Sequence, residues 1–266
     1  MPATAVLPQR PALAPVADAY RRMAAASPYL RMEVAEQPAP SGDWVRARRL
    51  AEDPDAVATL VAAEERRIHE TYGVRPRPDV APTWVLHRYA FTAALAMSGP
   101  WYLERRVPRL TADGVTYGWR TRRLVVAPGT ETVAAASEAV LEAELRAAVA
   151  AHLAPVLEAF RPLVRRGERG MWALVTDALA QGLWHLGRGL GDPWAAARAA
   201  DALLPGGTAP LPGAAAFRPD PAPEACGEPT RTRVSCCLLY TLRPEDTCAT
   251  CPRRQRRPSA AWTSAA

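Results

Sequence analysis

Four cysteines crowd into residues 236–251: Cys236 and Cys237 are adjacent, Cys248 follows after ten residues, Cys251 after two more, and Pro252 comes directly behind. Thiolates gathered this closely can close around a metal centre. The C-x2-C pair suits one metal atom, because a two-residue gap lets both sulfurs converge. Adjacent cysteines are harder to use, since neighbouring side chains of an extended strand point to opposite faces. Both can ligate only if the backbone turns there, or if the two sulfurs serve different irons. A 2Fe–2S cluster needs four thiolates, two on each iron. A structural zinc site also takes four, but usually from two spaced pairs that form a tetrahedron, which the adjacent cysteines match less well.

The remaining composition limits the alternatives. A chain of 266 residues can bury a substantial core, so disulfide staples are not needed for folding. No secretory signal is expected, because four prolines and Gln9 interrupt the apolar character of residues 1–16 and Arg10 falls within it. The best candidate for a membrane span, Trp84 to Met97, is too short and contains His87 and Arg88. A cytoplasmic protein is therefore expected, where cysteines serve metal or redox chemistry rather than disulfides. All 33 basic residues are arginine, and the net charge is +6. That excess admits an anion-binding surface. The arginines are scattered, however, without the interleaved readers of a nucleic-acid interface, so no nucleic-acid partner is expected.

Helical periodicity dominates the chain. A helix is expected from about Val16 to Ala26. Asp53 as N-cap, Pro54 at the first position and Gly73 as the stop delimit the next. A third is expected over about Thr83 to Ser98, ended or kinked by Gly99-Pro100. Alternation at Val115, Tyr117 and Trp119, and at Leu124 and Val126, predicts a hairpin turning over Gly118 to Arg122. Helical spacing then resumes from Glu131 to about Arg166, with Pro155 as a kink or a break. Further helices are expected after Gly170 and after the cap Asp192-Pro193. The fold class is thus mostly α: a helical domain with a small β-hairpin element and a short C-terminal cysteine-rich iron–sulfur module. The expected organisation is a variable segment 1–50, a helical domain 51–205, a Pro/Gly-rich linker 206–230, a 2Fe–2S module 231–254 and a disordered tail 255–266.

The pattern C-C-x10-C-x2-C-P resembles the C-terminal signature of ferric-siderophore reductases of the FhuF type. Arg233, Leu238 and Pro244 fit the resemblance, and it is sharp over about residues 231–252. Weaker likeness extends to Gly99-Pro100 and to Arg169 through Trp172; residues 1–50 show none. The resemblance implies a 2Fe–2S cluster held by Cys236, Cys237, Cys248 and Cys251. It also implies one-electron reduction of ferric iron in an imported siderophore, releasing ferrous iron in the cytoplasm. The implied partners are a ferric siderophore and an electron-donor protein, because no flavin or nicotinamide fingerprint is present. Peripheral association with the inner membrane is left open. No catalytic residue beyond the cluster is required.

Arg231, Arg233, Arg243, Arg253 and Arg254 flank the cysteines and would stabilise a negative centre or attract an acidic donor or anionic siderophore. Cys226 falls outside the spacing and reads as a spare thiol. His87, His152 and His185 have no partner motif, and Trp84, Trp101, Trp119, Trp172 and Trp184 read as packing residues. Three rival readings remain: a zinc-stabilised, non-enzymatic binding module; an iron–sulfur electron carrier or redox sensor; and an accessory protein of siderophore biosynthesis.

Overall fold

The computed structural model describes residues 14–254 except 28–29, 40–41, 136, 223–225 and 246. The expected tail at 255–266 lies outside the described residues. The architecture is mostly helical, as expected. The helices are α1 (Ala14–Ala26), α2 (Ala47–Glu52), α3 (Pro54–Tyr72), α4 (Val80–Glu104), α5 (Glu138–Phe160), α6 (Glu168–Gly189) and α7 (Pro193–Leu203). No helix among the described residues is long and apolar enough to cross a membrane.

Local chemistry sets the boundaries. Asp53 caps α3 by accepting from the amides of Asp55 and Ala56, at 3.0 and 3.1 Å. Gly73, at φ 68°, ends α3 in the left-handed conformation that favours glycine. Asp192 caps α7 through the Ala195 amide at 2.9 Å.

The central helix, α4, is apolar on all sides and buried over most of its length. It packs against α1, α3, α5 and α6. Here the structure corrects the sequence reading: the helix does not end at Gly99-Pro100 but runs on to Glu104. Pro100 has no N–H to give to the Ala96 carbonyl. The Tyr20 hydroxyl, reaching across from α1, donates to that carbonyl instead at 2.9 Å. Gly99 lets α1 approach, since a Cβ there would lie 2.4 Å from Met23 Sδ. Helix α5 likewise passes through Pro155 without a break. It starts only at Glu138, because residues 132–133 pair as a strand instead.

The expected hairpin is present as β4 (Val115–Gly118) and β5 (Arg123–Val126). It forms the centre of a four-stranded sheet. On one side β1 (Met32–Val34) pairs parallel to β5; on the other β2 (Trp44–Arg46) pairs antiparallel to β4. The short strands β3 (Val107–Pro108) and β6 (Thr132–Val133) form a separate pair, as do β7 (Arg218–Pro219) and β8 (Pro229–Thr230).

Within the stretch 206–230, expected to be a linker, residues 211–217 contact the helices. Leu211 and Ala215 are buried in the main core, and the Phe217 amide is held by Asp201 at 3.1 Å. This packing brings the chain across α6 to the cysteine segment.

Candidate metal centre

One carboxylate anchors the cysteine segment to the helices. Asp177, in the middle of α6, is fully buried. Its Oδ1 accepts from Arg231 Nη2 at 2.6 Å and from the Val234 amide at 2.9 Å. Its Oδ2 accepts from the Ser235 amide at 2.8 Å, from Ser235 Oγ at 2.6 Å and from Arg233 Nε at 3.4 Å. Burial works against ionisation of Asp177. The charges of Arg231 and Arg233, with the bonds from Ser235 and Val234, outweigh it and hold the carboxyl below its usual range. Residues 231–235 are therefore fixed immediately ahead of the first cysteine. Arg231 and Arg233 are both buried, and they share this one carboxylate. One positive charge is left over behind the cysteines, which matches a negatively charged thiolate centre.

Two further bonds hold the cysteine pair itself. The Cys236 carbonyl accepts from Arg166 Nη2. The Cys237 carbonyl accepts from Trp84 Nε1, on α4, at 2.7 Å. Leu238 then takes the left-handed conformation, φ 66° and ψ 5°, and the chain enters a 3-10 turn over Leu239–Thr241. The backbone thus turns directly after the adjacent cysteines, meeting one of the two conditions for both to serve as ligands. Leu238 and Leu242 pack with Ile68, Val80 and Ala81, which docks the loop on the end of α3 and the start of α4. The returning arm is tied back by the Arg233 amide, which donates to the Thr250 carbonyl at 2.9 Å. A Cys251-to-Cys248 backbone bond of 3.0 Å closes the C-x2-C turn.

The donor set can be tested against a 2Fe–2S cluster. Cys237 Sγ and Cys248 Sγ lie 3.7 Å apart. Two sulfurs bound at about 2.3 Å to one tetrahedral metal ion are separated by roughly 3.8 Å. These two thiols, brought together across the loop, therefore suit one iron, a pairing the C-x2-C spacing did not suggest. They share a proton: contact with Cys248 draws Cys237 down to about 6, while Cys248 is pushed up. Cys237 is thus predisposed to the thiolate form in which sulfur binds metals. The charges of Cys237 and Cys251 raise the pKa of both Cys236 and Cys248. Cys251 is buried and the other three are half-buried. Among the described residues, no three or more His, Cys, Asp or Glu side chains gather at one point to hold a single ion. Cys226 is exposed and free.

A cavity of about 470 Å³ adjoins the cysteines. Cys237 and Arg233 form part of its wall, and so does Trp84, which holds the Cys237 carbonyl. Tyr72, Phe91, Arg67, Arg88 and Arg122 complete much of the lining. His87 also lines it, with its Nε2 buried and unpartnered; burial lowers its pKa to about 3, so the ring is neutral.

The sequence reading found the four cysteines and the flanking arginines, but it missed Asp177 and Arg166 and read Trp84 only as a packing residue. Asp177 did leave a trace, as the single ionisable side chain in the apolar run Trp172–Ala180.

A mostly helical protein ending in a clamped four-cysteine loop belongs to the class of iron–sulfur proteins. Residues 233–253 match the family model of the FhuF 2Fe-2S C-terminal domain, and a 2Fe–2S cluster is the cofactor of that domain. A search of curated proteins finds no match.

Proposed function

We propose that this protein reduces the ferric iron of a siderophore complex by one electron, with Cys236, Cys237, Cys248 and Cys251 as the ligands of its cluster. The observation that carries this reading is the shared wall: the cavity able to admit a chelate is lined by Cys237 itself. When bound, a 2Fe–2S cluster supplies one electron at a time. The match to the FhuF domain supports a place in siderophore iron handling.

The chain's own residues have three tasks. Asp177, Arg166 and Trp84 fix the backbone of residues 234–237, so the cysteine loop holds a constant position against the cavity. The buried excess charge of Arg231 and Arg233 favours the more negative state of a centre beside it. The aromatic and arginine walls place the chelate next to Cys237.

The substrate's iron gains one electron and becomes ferrous, and the protein loses one. The hard oxygen donors of a siderophore hold ferrous iron far more weakly than ferric iron, so the metal leaves. A separate electron-carrier protein restores the lost electron. No side chain needs to act as acid, base or nucleophile. Ferrous iron, released in the cytoplasm, is the product of this reading.

The test is single-turnover oxidation of the anaerobically reduced protein by ferric siderophores, with a ferrous-specific chelator present. One ferrous ion released per electron lost from the protein is expected. Protein that keeps its reduced spectrum in the presence of every ferric chelate tried is an electron carrier or sensor instead.

A further inference from the structure

The adjacent cysteines line two different recesses. Cys237 belongs to the wall of the cavity described above, with Trp84 and Arg233. Cys236 lines a separate groove of about 710 Å³, built wholly from residues 234–254. No residue lines both.

The groove combines apolar surface with fixed positive charge. Val234, next but one to Cys236, is 38 % exposed. Tyr240, Pro244 and Pro252 extend the apolar surface around it. Arg253 and Arg254 stand exposed in the same wall. The Arg253 guanidinium lies over the Tyr240 ring, 4.0 Å from its centroid. Arg254 donates to Thr247 Oγ1 at 2.7 Å and to the Thr247 carbonyl at 3.3 Å. Both arginines are thus held by uncharged groups, and neither forms an ion pair among the described residues. No carboxylate lines the groove; Glu245, beside Pro244, is exposed outside it. The charge of the thiols is met first by the buried Arg233 and by Arg166, which holds the Cys236 carbonyl. Arg253 and Arg254 add surface charge beyond that pair.

Electron transfer weakens steeply with distance, so a donor and a chelate must each come close to the cysteines. A chelate in the cavity would cover Cys237, which leaves Cys236 as the approach for the donor. Apolar surface rimmed by charge suits a transient protein contact. Fixed positive charge at its edge draws in a negative partner and speeds the encounter.

We infer that the groove around Cys236 is the docking face for a small acidic electron-carrier protein, with Arg253 and Arg254 as its charge-pairing residues. The inference rests on the reading above that a separate protein restores the electron. Carboxylates of the carrier pair with the two guanidiniums while its redox centre approaches Cys236. One electron leaves the carrier and enters the thiolate-bound centre; no bond breaks and no proton need move.

Docking can be measured apart from electron transfer with a gallium-substituted, acidic plant-type ferredoxin, which keeps the charge of such a carrier but passes no electron. Titrated by calorimetry at low salt against the full-length, cluster-loaded protein, it is expected to bind, and binding should weaken as salt rises. That salt dependence tests the point without any substitution. The double variant Arg253→Gln, Arg254→Gln should weaken binding at least about tenfold. The double variant Arg253→Lys, Arg254→Lys keeps both charges and should retain most of the binding. Thermal melts and cluster absorbance would show that both variants are folded and loaded. In stopped flow, the reduced iron form of the same ferredoxin should reduce the cluster, with a rate constant that falls in parallel with binding. No binding, or binding indifferent to salt and to the Gln pair, would overturn the inference. Equal weakening by the Lys and Gln pairs would overturn it too, since the side chains would then only support the loop. Ferrous iron released from a chelate by chemically reduced protein would uphold the reductase reading in either case. Docking that depends on Arg253 and Arg254, without reduction of any ferric chelate, would uphold this face and overturn the reductase reading.

Discussion

Ser235 is bonded twice to Asp177, through its amide at 2.8 Å and through its hydroxyl at 2.6 Å, both to the same carboxylate oxygen. This fixes the residue next to Cys236 to the middle of a buried helix. Asp177 also carries the charge of two buried arginines. Asp177→Asn would remove that charge and leave two cations without a counter-ion. A loss of about 3–5 kcal/mol is expected, the usual result of breaking a buried pair from one side. Ser235→Ala removes only the hydroxyl bond and should cost about 1–2 kcal/mol. Denaturant unfolding of the two variants should therefore separate them clearly, with cluster absorbance retained in Ser235→Ala and lost or sharply reduced in Asp177→Asn. Similar stability of the two would show that Asp177 does not anchor the segment.

Arg233 lies beside both Asp177 and the cysteines. Removing its positive charge disfavours the reduced, more negative state of the centre. Arg233→Gln is expected to lower the midpoint potential by about 50–100 mV, taking a charge interaction of roughly 1–2 kcal/mol at an effective dielectric of about 20. A redox titration followed in the visible spectrum would check it. An unchanged potential in a folded, fully loaded variant would mean that solvent screens this charge.

Much of this was legible in the sequence, and the exceptions have physical causes. Caps at Asp53 and Asp192 and the stop at Gly73 act within a few residues, so they can be read locally. The path of α4 through Pro100 could not be, because the group that compensates the lost bond is Tyr20, far away in sequence. The four cysteines were visible as a pattern, but the 3.7 Å approach of Cys237 to Cys248 depends on the turn at Leu238 and on docking against α3 and α4. Asp177 was missed for the same reason: its partners are more than fifty residues further along. Proline and glycine mark residues 206–230 as a connector, but the burial of Leu211 and Ala215 depends on helices distant in sequence and leaves no local signal.

The Tyr20 bond gives a direct test of the helix interior. Tyr20→Phe keeps the ring but leaves the Ala96 carbonyl without its donor. Since both groups are buried, a loss of about 1–3 kcal/mol is expected, measured by chemical denaturation. A neutral result would mean that water or a relaxed helix satisfies that carbonyl.

Stability should fall in mild acid. His152 is buried, bonded by Tyr89 at 2.7 Å and by the Leu110 carbonyl at 3.0 Å, and its pKa is lowered chiefly by burial. His87 is lowered to about 3, again chiefly by burial. In the unfolded chain both protonate near pH 6.5. Below that value the unfolded state binds protons that the folded state does not, so stability is full above about pH 6.5 and is lost as pH falls towards the folded values. Each histidine contributes a slope of up to about 1.4 kcal/mol per pH unit in that window. Denaturant melts at pH 7.5, 6 and 5 should show the decline, and His87→Gln should flatten it. An identical slope in that variant would place the acid sensitivity elsewhere.

The central claim is that the four clamped cysteines hold a two-iron cluster, and its most direct test is the metal and acid-labile sulfide content of anaerobically purified protein, combined with electron paramagnetic resonance after dithionite reduction. The account predicts two irons and two sulfides per chain, a reduced-state signal from one unpaired electron, and loss of that signal in Cys237→Ser and Cys248→Ser. Stoichiometric zinc in a colourless protein from iron-replete cells would contradict it and leave a structural metal module.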